Sequence, residues 1–310
     1  MKKLIIGLVS LMLIVVMAGC SSNQKVKEEK DDTLNVVATT TMLKDLAIRI
    51  GGDKVNVVDL MGAGIDPHLY KASAGDVSKM QEADLIVYNG LHLEGKMGEI
   101  FENLQTRDKE VLAVGEALDE TMLLSSSDFE GNQDPHIWFN VKLWMDVTRV
   151  LADKLIAIDE GNQTYYEDAR DNYLKELENL DQYVTDRVNE LEEDQRILIT
   201  AHDAFNYFGD AYGFEVRGLQ GISTSAEAGT QDVSQLADYI TEKQIKAVFV
   251  ESSVPVKNVE ALKEAVASRG FEVAIGGELF SDSTGSAGTE EETFIGTMTH
   301  NINIIVDALK

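Results

Sequence analysis

Between Tyr166 and Leu191 apolar residues recur at spacings of three and four: Tyr166, Ala169, Tyr173, Leu177, Leu180, Val184, Val188 and Leu191. That spacing returns to one face of an α-helix, and the opposite face is dense with Asp, Glu and Lys. The pattern predicts one amphipathic helix of roughly 28 residues, about 40 Å long at 1.5 Å per residue. A coiled coil would use such a face, but a lone stretch of this length fits better as a stiff strut between two lobes.

On either side of it the sequence alternates strand and helix. Before it, Leu34 to Thr39, Val55 to Leu60 and Leu85 to Tyr88 read as short apolar strands. Met42 to Ile50 reads as a helix, and Ser73 with Asp76 forms a capping box that opens another. Residues 115–133 lack a clear period and are expected to be loop and short helix. Asn140 is a candidate N-cap for a helix carrying Trp144, Val147, Leu151 and Leu155 on one face. After the long helix, strands are expected at Arg196 to Thr200, Phe214 to Val216, Ala247 to Val250 and Val273 to Ile275. Helices are expected at Asp232 to Thr241, Asn258 to Ser268 and Glu291 to Leu309. Alternation with short connections is the mark of a mostly parallel sheet covered by helices. The expected fold class is therefore α/β, with two similar lobes joined by one long rigid helix: residues 34–163, 164–194 and 195–310.

The N-terminus reads differently. Met1-Lys2-Lys3 precedes an apolar run from Leu4 to Met17 and then Ala18-Gly19-Cys20. A charged start, apolar centre and small residues at the cut make a secretory signal over residues 1–19, too short for a comfortable membrane span. Cys20 is the only cysteine in the chain, so it has no internal disulfide partner. A cysteine after small residues resembles the bacterial lipobox, with Met17 where leucine is commoner. That resemblance implies a lipidated Cys20 at the mature N-terminus, on the extracytoplasmic face of the cell membrane. Residues 20–33 are then a polar tether. The formal net charge of −27 argues against nucleic acid or an anionic membrane surface as a partner.

The chemistry centres on a repeated tripeptide, Asp66-Pro67-His68 and Asp134-Pro135-His136. The whole chain has three prolines and five histidines, and two of the prolines directly precede histidines in this pattern. Proline fixes its own φ and pushes its predecessor towards extended geometry, so each imidazole projects from a stiff backbone. Neutral imidazole is the commonest metal ligand. One such tripeptide reads as well as an ordinary turn with a solvent-facing histidine. Two of them, in a chain this poor in both residues, point to a shared metal. His202 lies two residues past a predicted strand and Asp282 follows the last one. Ligands of open α/β sheets bind outside the carboxyl ends of strands, so His68, His136, His202 and a carboxylate can meet in a cleft between lobes. Three imidazoles and one carboxylate complete the coordination of a divalent transition metal. His92 lacks a proline brace and His300 sits within a predicted helix, so both are weaker candidates. Among 54 acidic residues, nothing in the spacing singles out Asp282.

The segments Asp66-Pro67-His68-Leu69-Tyr70, Asp134-Pro135-His136-Ile137-Trp138, Ala201-His202-Asp203-Ala204-Phe205 and Gly277-Glu278-Leu279-Phe280-Ser281-Asp282-Ser283 carry a specific resemblance. Gly221-Ile222-Ser223-Thr224 and Glu251-Ser252-Ser253 add to it. The chain resembles the metal-binding lipoproteins of ABC transporters, the zinc and manganese solute-binding (cluster 9, TroA-like) family, over essentially the whole mature chain. The resemblance implies one metal ion between the lobes, held by His68, His136, His202 and Asp282, and it is what selects Asp282. It also implies a monomer that hands the ion to a membrane permease and its ATPase, with no catalytic step. Zinc members often carry a histidine-rich acidic loop near the second tripeptide, and Thr121 to Gln133 contains no histidine. The segments after His202 look most like the manganese branch. The expected cargo is Mn²⁺, with Zn²⁺ as the alternative, since nitrogen and oxygen sites intrinsically favour zinc. Two other classes compete. A zinc-dependent hydrolase would need an open coordination position and a base such as Asp203 or Glu278. An adhesin would need only the tether and the acidic surface.

Overall fold

The computed structural model describes residues 33–125 and 133–310. The predicted signal segment, Cys20 and most of the tether lie outside the described residues, as do residues 126–132 within the Thr121 to Gln133 stretch.

The first half forms one parallel sheet. Strands β1 (Leu34–Ala38), β2 (Val55–Asp59), β3 (Leu85–Tyr88) and β4 (Glu110–Ala113) lie in the order β2-β1-β3-β4. Val36 stands opposite both Val57 and Leu85 in the two registers of β1. The strands read as continuous apolar runs because both faces are covered. Val36, Ala38, Leu85 and Val87 enter one core; Val37 and Ile86 join Met80, Phe101 and Leu104 in a second core behind the sheet. Helix α1 (Thr41–Gly51) covers the first face with Met42, Leu43 and Leu46, whereas α2 (Ala74–Glu82) and α3 (Gly98–Gln105) cover the other. The winding therefore reverses between β1 and β3, and the loops above that point form a crevice.

Helix α4 (Val141–Ile158) begins at Asn140, whose side chain accepts the backbone N–H groups of Lys142 and Leu143 as expected. Helix α5 (Gln163–Val188) is the long amphipathic helix. The second half repeats the winding of the first. Strand β5 (Ile197–His202) is followed by α6 (Asn206–Tyr212) and β6 (Glu215–Gln220), and α7 (Thr230–Lys243) leads to β7 (Ala247–Glu251). Then α8 (Lys257–Ala267), β8 (Ala274–Leu279) and α9 (Phe294–Leu309) close the chain. β5 pairs in parallel with β6, and β7 with β8, as two two-stranded sheets, and β5 lies beside β7.

The lobes share a core instead of meeting only through a strut. Tyr173, Leu177, Leu180 and Val184 of α5 belong to the same buried cluster as Trp144, Phe249, Leu279, Phe294 and Ile305. α5 packs on α1, α4 and α9, which is why its apolar face runs the full length of the helix.

Several elements depart from the sequence expectation. α5 has 26 residues, slightly short of the apolar pattern, because Leu191 is buried in the turn after it. The short elements α3, β4 and α6 carry too few residues to show a period, and the expectation missed all three. Among the described residues of 115–133 the expected loop and short helix are present, the helix as a 3-10 turn at Glu120–Met122. His202 ends β5 and is not in a loop. β8 runs on through Gly276 and Gly277, which the sequence reading took as the strand's end. A Cβ on Gly276 would lie 2.6 Å from the Phe249 ring, and one on Gly277 2.6 Å from Ile304. These glycines are there for close packing under α9, not to break the strand.

Candidate metal centre

Both Asp-Pro-His tripeptides fold into the same local turn. Asp66 Oδ1 accepts the backbone N–H of His68 at 2.9 Å, and Asp134 Oδ1 accepts that of His136 at 2.9 Å. Aspartate bonding its own backbone two residues on, with proline between, leaves the histidine little backbone freedom.

His136 is then held on every side. Its Nδ1 donates to Asp134 Oδ1 at 2.7 Å, and both residues are buried. The Asp134 carbonyl accepts the Tyr207 hydroxyl at 3.0 Å, and Asp134 Oδ2 accepts Asn206 Nδ2 at 3.1 Å. Pro135 accepts Asn89 Nδ2 at 2.9 Å, and the backbone N–H groups of Asn89 and Gly90 donate to the fully buried carboxylate of Glu94. Burial pushes that carboxyl above its ordinary range, against hydrogen bonds from Thr39 and the two amides. Trp138 Nε1 donates to the Ser281 carbonyl at 2.9 Å, tying the His136 turn to the loop that carries Asp282.

His202 is held by Glu251, the last residue of the neighbouring strand β7. One carboxylate oxygen accepts the His202 backbone N–H at 2.8 Å and the other meets Nδ1 at 2.5 Å. Asp282 Oδ2 accepts the Ser253 hydroxyl at 3.1 Å, while Oδ1 faces the histidines. Oδ1 stands 3.6 Å from His136 Nε2 and 3.5 Å from His202 Nε2, contacts of charge and not hydrogen bonds.

All four side chains converge. His68, His136, His202 and Asp282 each offer a ligand atom within 4.8 Å of the others, and all four residues are buried. His68 Nε2, His136 Nε2, His202 Nε2 and Asp282 Oδ1 are also buried without a hydrogen-bond partner. Leaving one such atom unsatisfied costs about 1–3 kcal/mol, and four of them pointing at one another fit a shared cation. The electrostatics agree. Burial depresses the His68 imidazole to about 3, with Asp282 opposing. Burial would depress His202 too, but Glu251 and Asp282 outweigh it and raise it well above its ordinary value. Burial would raise Asp282; the charge of His202 and the other two imidazoles wins and holds it below the usual carboxylate range.

The remaining sequence candidates lie elsewhere. His92 is exposed at φ 67°, and His300 binds the Glu278 carbonyl through Nε2 at 3.0 Å. The Glu278 side chain is exposed, and Asp203 lines a groove of about 620 Å³ along β6; neither belongs to the cluster. Glu251, Asn89, Glu94 and Ser253 were not assigned roles from sequence. The signals for Glu251 were its place at a strand's C-terminal end and, with Ser253, its place in a segment that carries the family resemblance.

A family profile described as zinc-uptake complex component A, periplasmic, matches residues 36–308. The chain belongs to this family. Within the zinc-uptake component A family, it is 48% identical over 274 residues to the zinc-binding protein TroA of Treponema pallidum, covering 88% of each chain. It is 44% identical over 308 residues to the manganese-binding lipoprotein MntA of Bacillus subtilis strain 168, covering 98% of this chain and 99% of that one. The solved structure of the periplasmic zinc-binding protein TroA from Treponema pallidum matches with a TM-score of 0.87 at 47% identity, over 89% of this chain and 99% of that chain. Relatives named for zinc and for manganese thus share the family with this chain.

Proposed function

We propose that the protein is the extracytoplasmic receptor of an ABC importer, capturing one divalent transition metal and delivering it to a permease and its ATPase. The observation that carries this reading is the set of four buried, unpartnered atoms on His68, His136, His202 and Asp282, which act as the ligands. Four protein ligands in a closed pocket suit capture better than hydrolysis, which needs a position kept for water. Manganese is the cargo. Its support is the relative named for manganese that matches nearly end to end, and a carboxylate in the ligand set, the oxygen donor that suits manganese. Zinc is the second reading, favoured by the three imidazoles and by the relative named for zinc.

Elemental analysis of protein purified without added metal, followed by titration with Mn²⁺ and Zn²⁺ in competition, decides both points. One ion per chain is expected, manganese in the protein as purified, with zinc the tighter competitor because nitrogen ligands intrinsically favour it. Two equivalent sites, or none, would overturn the receptor reading; zinc in the protein as purified would transfer the cargo to zinc.

In this reading residues 1–19 are removed, Cys20 is lipidated, residues 20–33 tether the protein, and lobes 34–163 and 195–310 are joined by residues 164–194. The relative named a lipoprotein supports the anchor. Cys20→Ser should release the protein from membranes with metal affinity unchanged. A variant still membrane-bound after alkaline washing would contradict the anchor.

A further inference from the structure

The two Asp-Pro-His turns share a fold but use their carboxylates differently. In the second, Asp134 Oδ1 accepts both the backbone N–H and the ring Nδ1 of His136. In the first, Asp66 Oδ1 accepts only the backbone N–H of His68. Its other oxygen accepts the Thr224 hydroxyl at 2.6 Å, a residue from the loop after β6 in the opposite lobe. Among the described residues no carboxylate holds the His68 ring, whereas Asp134 holds His136 and Glu251 holds His202. The surroundings differ in the same sense. The His136 turn is enclosed by Trp138, Asn206, Tyr207 and Asn89. The His68 loop runs through exposed Gly62, Ala63, Gly64 and Ile65, with Gly64 at φ 75°. Its other tie across the lobes is Gly64 N–H to Ser283 Oγ at 2.9 Å.

We propose that His68 is the exchangeable ligand of the site, and that the Thr224–Asp66 hydrogen bond is the latch that sets how fast metal enters and leaves. The proposal rests on the metal-receptor reading above. His136 and His202 are oriented by carboxylates within their own lobes, so they keep their aim when the lobes part slightly. His68 is aimed only by its backbone, and that backbone is held to the far lobe through Asp66. Breaking one hydrogen bond therefore frees one ligand and leaves the other three in place. Both latch partners are protein groups, so the latch slows entry as well as release. Thr224 is a positioning residue: it acts on the metal through Asp66 and His68.

The test is stopped-flow kinetics on the full mature chain loaded with Mn²⁺, with excess EDTA to read release and a metal-responsive dye to read uptake. Thr224→Val keeps the shape and removes the hydroxyl. Release and uptake should each quicken roughly tenfold, the size expected for losing one hydrogen bond to a charged group, while the dissociation constant changes less than either rate and stoichiometry stays at one. Thr224→Ser should restore wild-type rates. Unchanged rates, a serine variant as fast as the valine variant, or weaker binding with unaltered uptake would each overturn the latch. A second measurement needs no variant. In metal-free wild-type protein the His68 and His136 amides make matched hydrogen bonds, so exchange of the His68 amide with deuterium should be at least about tenfold faster. Equal exchange would overturn the proposal, whereas a wild-type protein that takes up no metal would overturn the receptor reading and leave this comparison intact.

Discussion

His202 and His300 are the same side chain in opposite situations. His202 ends a strand, is fully buried, has one nitrogen on Glu251 and aims the other at three neighbours. His300 lies on α9, partly exposed, with its Nε2 on a main-chain carbonyl and its ring edge-on to Phe280. His202→Ala should weaken metal binding by on the order of a hundredfold or more, since losing even an outer partner of a ligand costs 10–100-fold. His300→Ala should leave affinity unchanged. Titration calorimetry on both variants checks this, and equal losses would remove His202 from the ligand set.

At the scale of elements, the helix that follows the first tripeptide is set by its cap. Asp76 accepts the Ser73 N–H at 2.9 Å and the Ser73 hydroxyl at 2.7 Å, and the Tyr70 hydroxyl donates to it at 2.8 Å. Burial alone would raise its carboxyl, but these hydrogen bonds outweigh burial and hold it at about 2, below the ordinary 3.8. A carboxyl with a depressed folded value stabilises the fold above its unfolded value, and that contribution disappears as pH falls through the folded value. Metal-free protein should therefore lose stability between about pH 4 and pH 2, and Asp76→Asn should flatten the loss in that window. Thermal melts across the range and the NMR titration of Asp76 report it; a midpoint at the ordinary value would show that the box does not carry this load. Ser73 and Asp76 were legible in the sequence because a capping box is a local code. The short elements α3, β4 and α6 were not, because tertiary packing and not periodicity stabilises them.

For the molecule as a whole, metal, protons and lobe contact are linked. The imidazoles proposed as ligands must be unprotonated to bind, so protons and metal compete for them. The ion should therefore leave as pH falls through the range in which histidines charge, and steeply, because several protons compete with one ion. Dialysis followed by elemental analysis at stepped pH measures this; full retention at pH 4 would mean imidazole is not the main donor. A hundredfold excess of metal over its dissociation constant should add about 2.7 kcal/mol to folding stability. Because the apolar face of α5 lies in a core common to both lobes, release should change the small-angle scattering only slightly. A hinge of tens of degrees would contradict that shared core.

Most strands and helices, the long helix between two α/β halves and the two Asp-Pro-His turns follow from the sequence alone. Each depends on contacts between residues close together in the chain: a 3.6-residue period, a short apolar run and a proline before histidine. Tertiary structure alone decided which groups meet. By spacing Asp282 is one carboxylate among 54, and the family resemblance is what selects it; it meets the histidines because β8 and the Trp138–Ser281 hydrogen bond bring it there. Glu251 stands in a segment that carries the resemblance, but its hold on His202 exists only because β7 lies beside β5. The same tripeptide gives a ring-clamped histidine at 136 and an unclamped one at 68, because Asp66 turns its second oxygen to Thr224 across the lobes. Local steric and hydrogen-bonding rules reach only a few residues along the chain, whereas a metal site is made by groups that only the packed fold brings within ångströms.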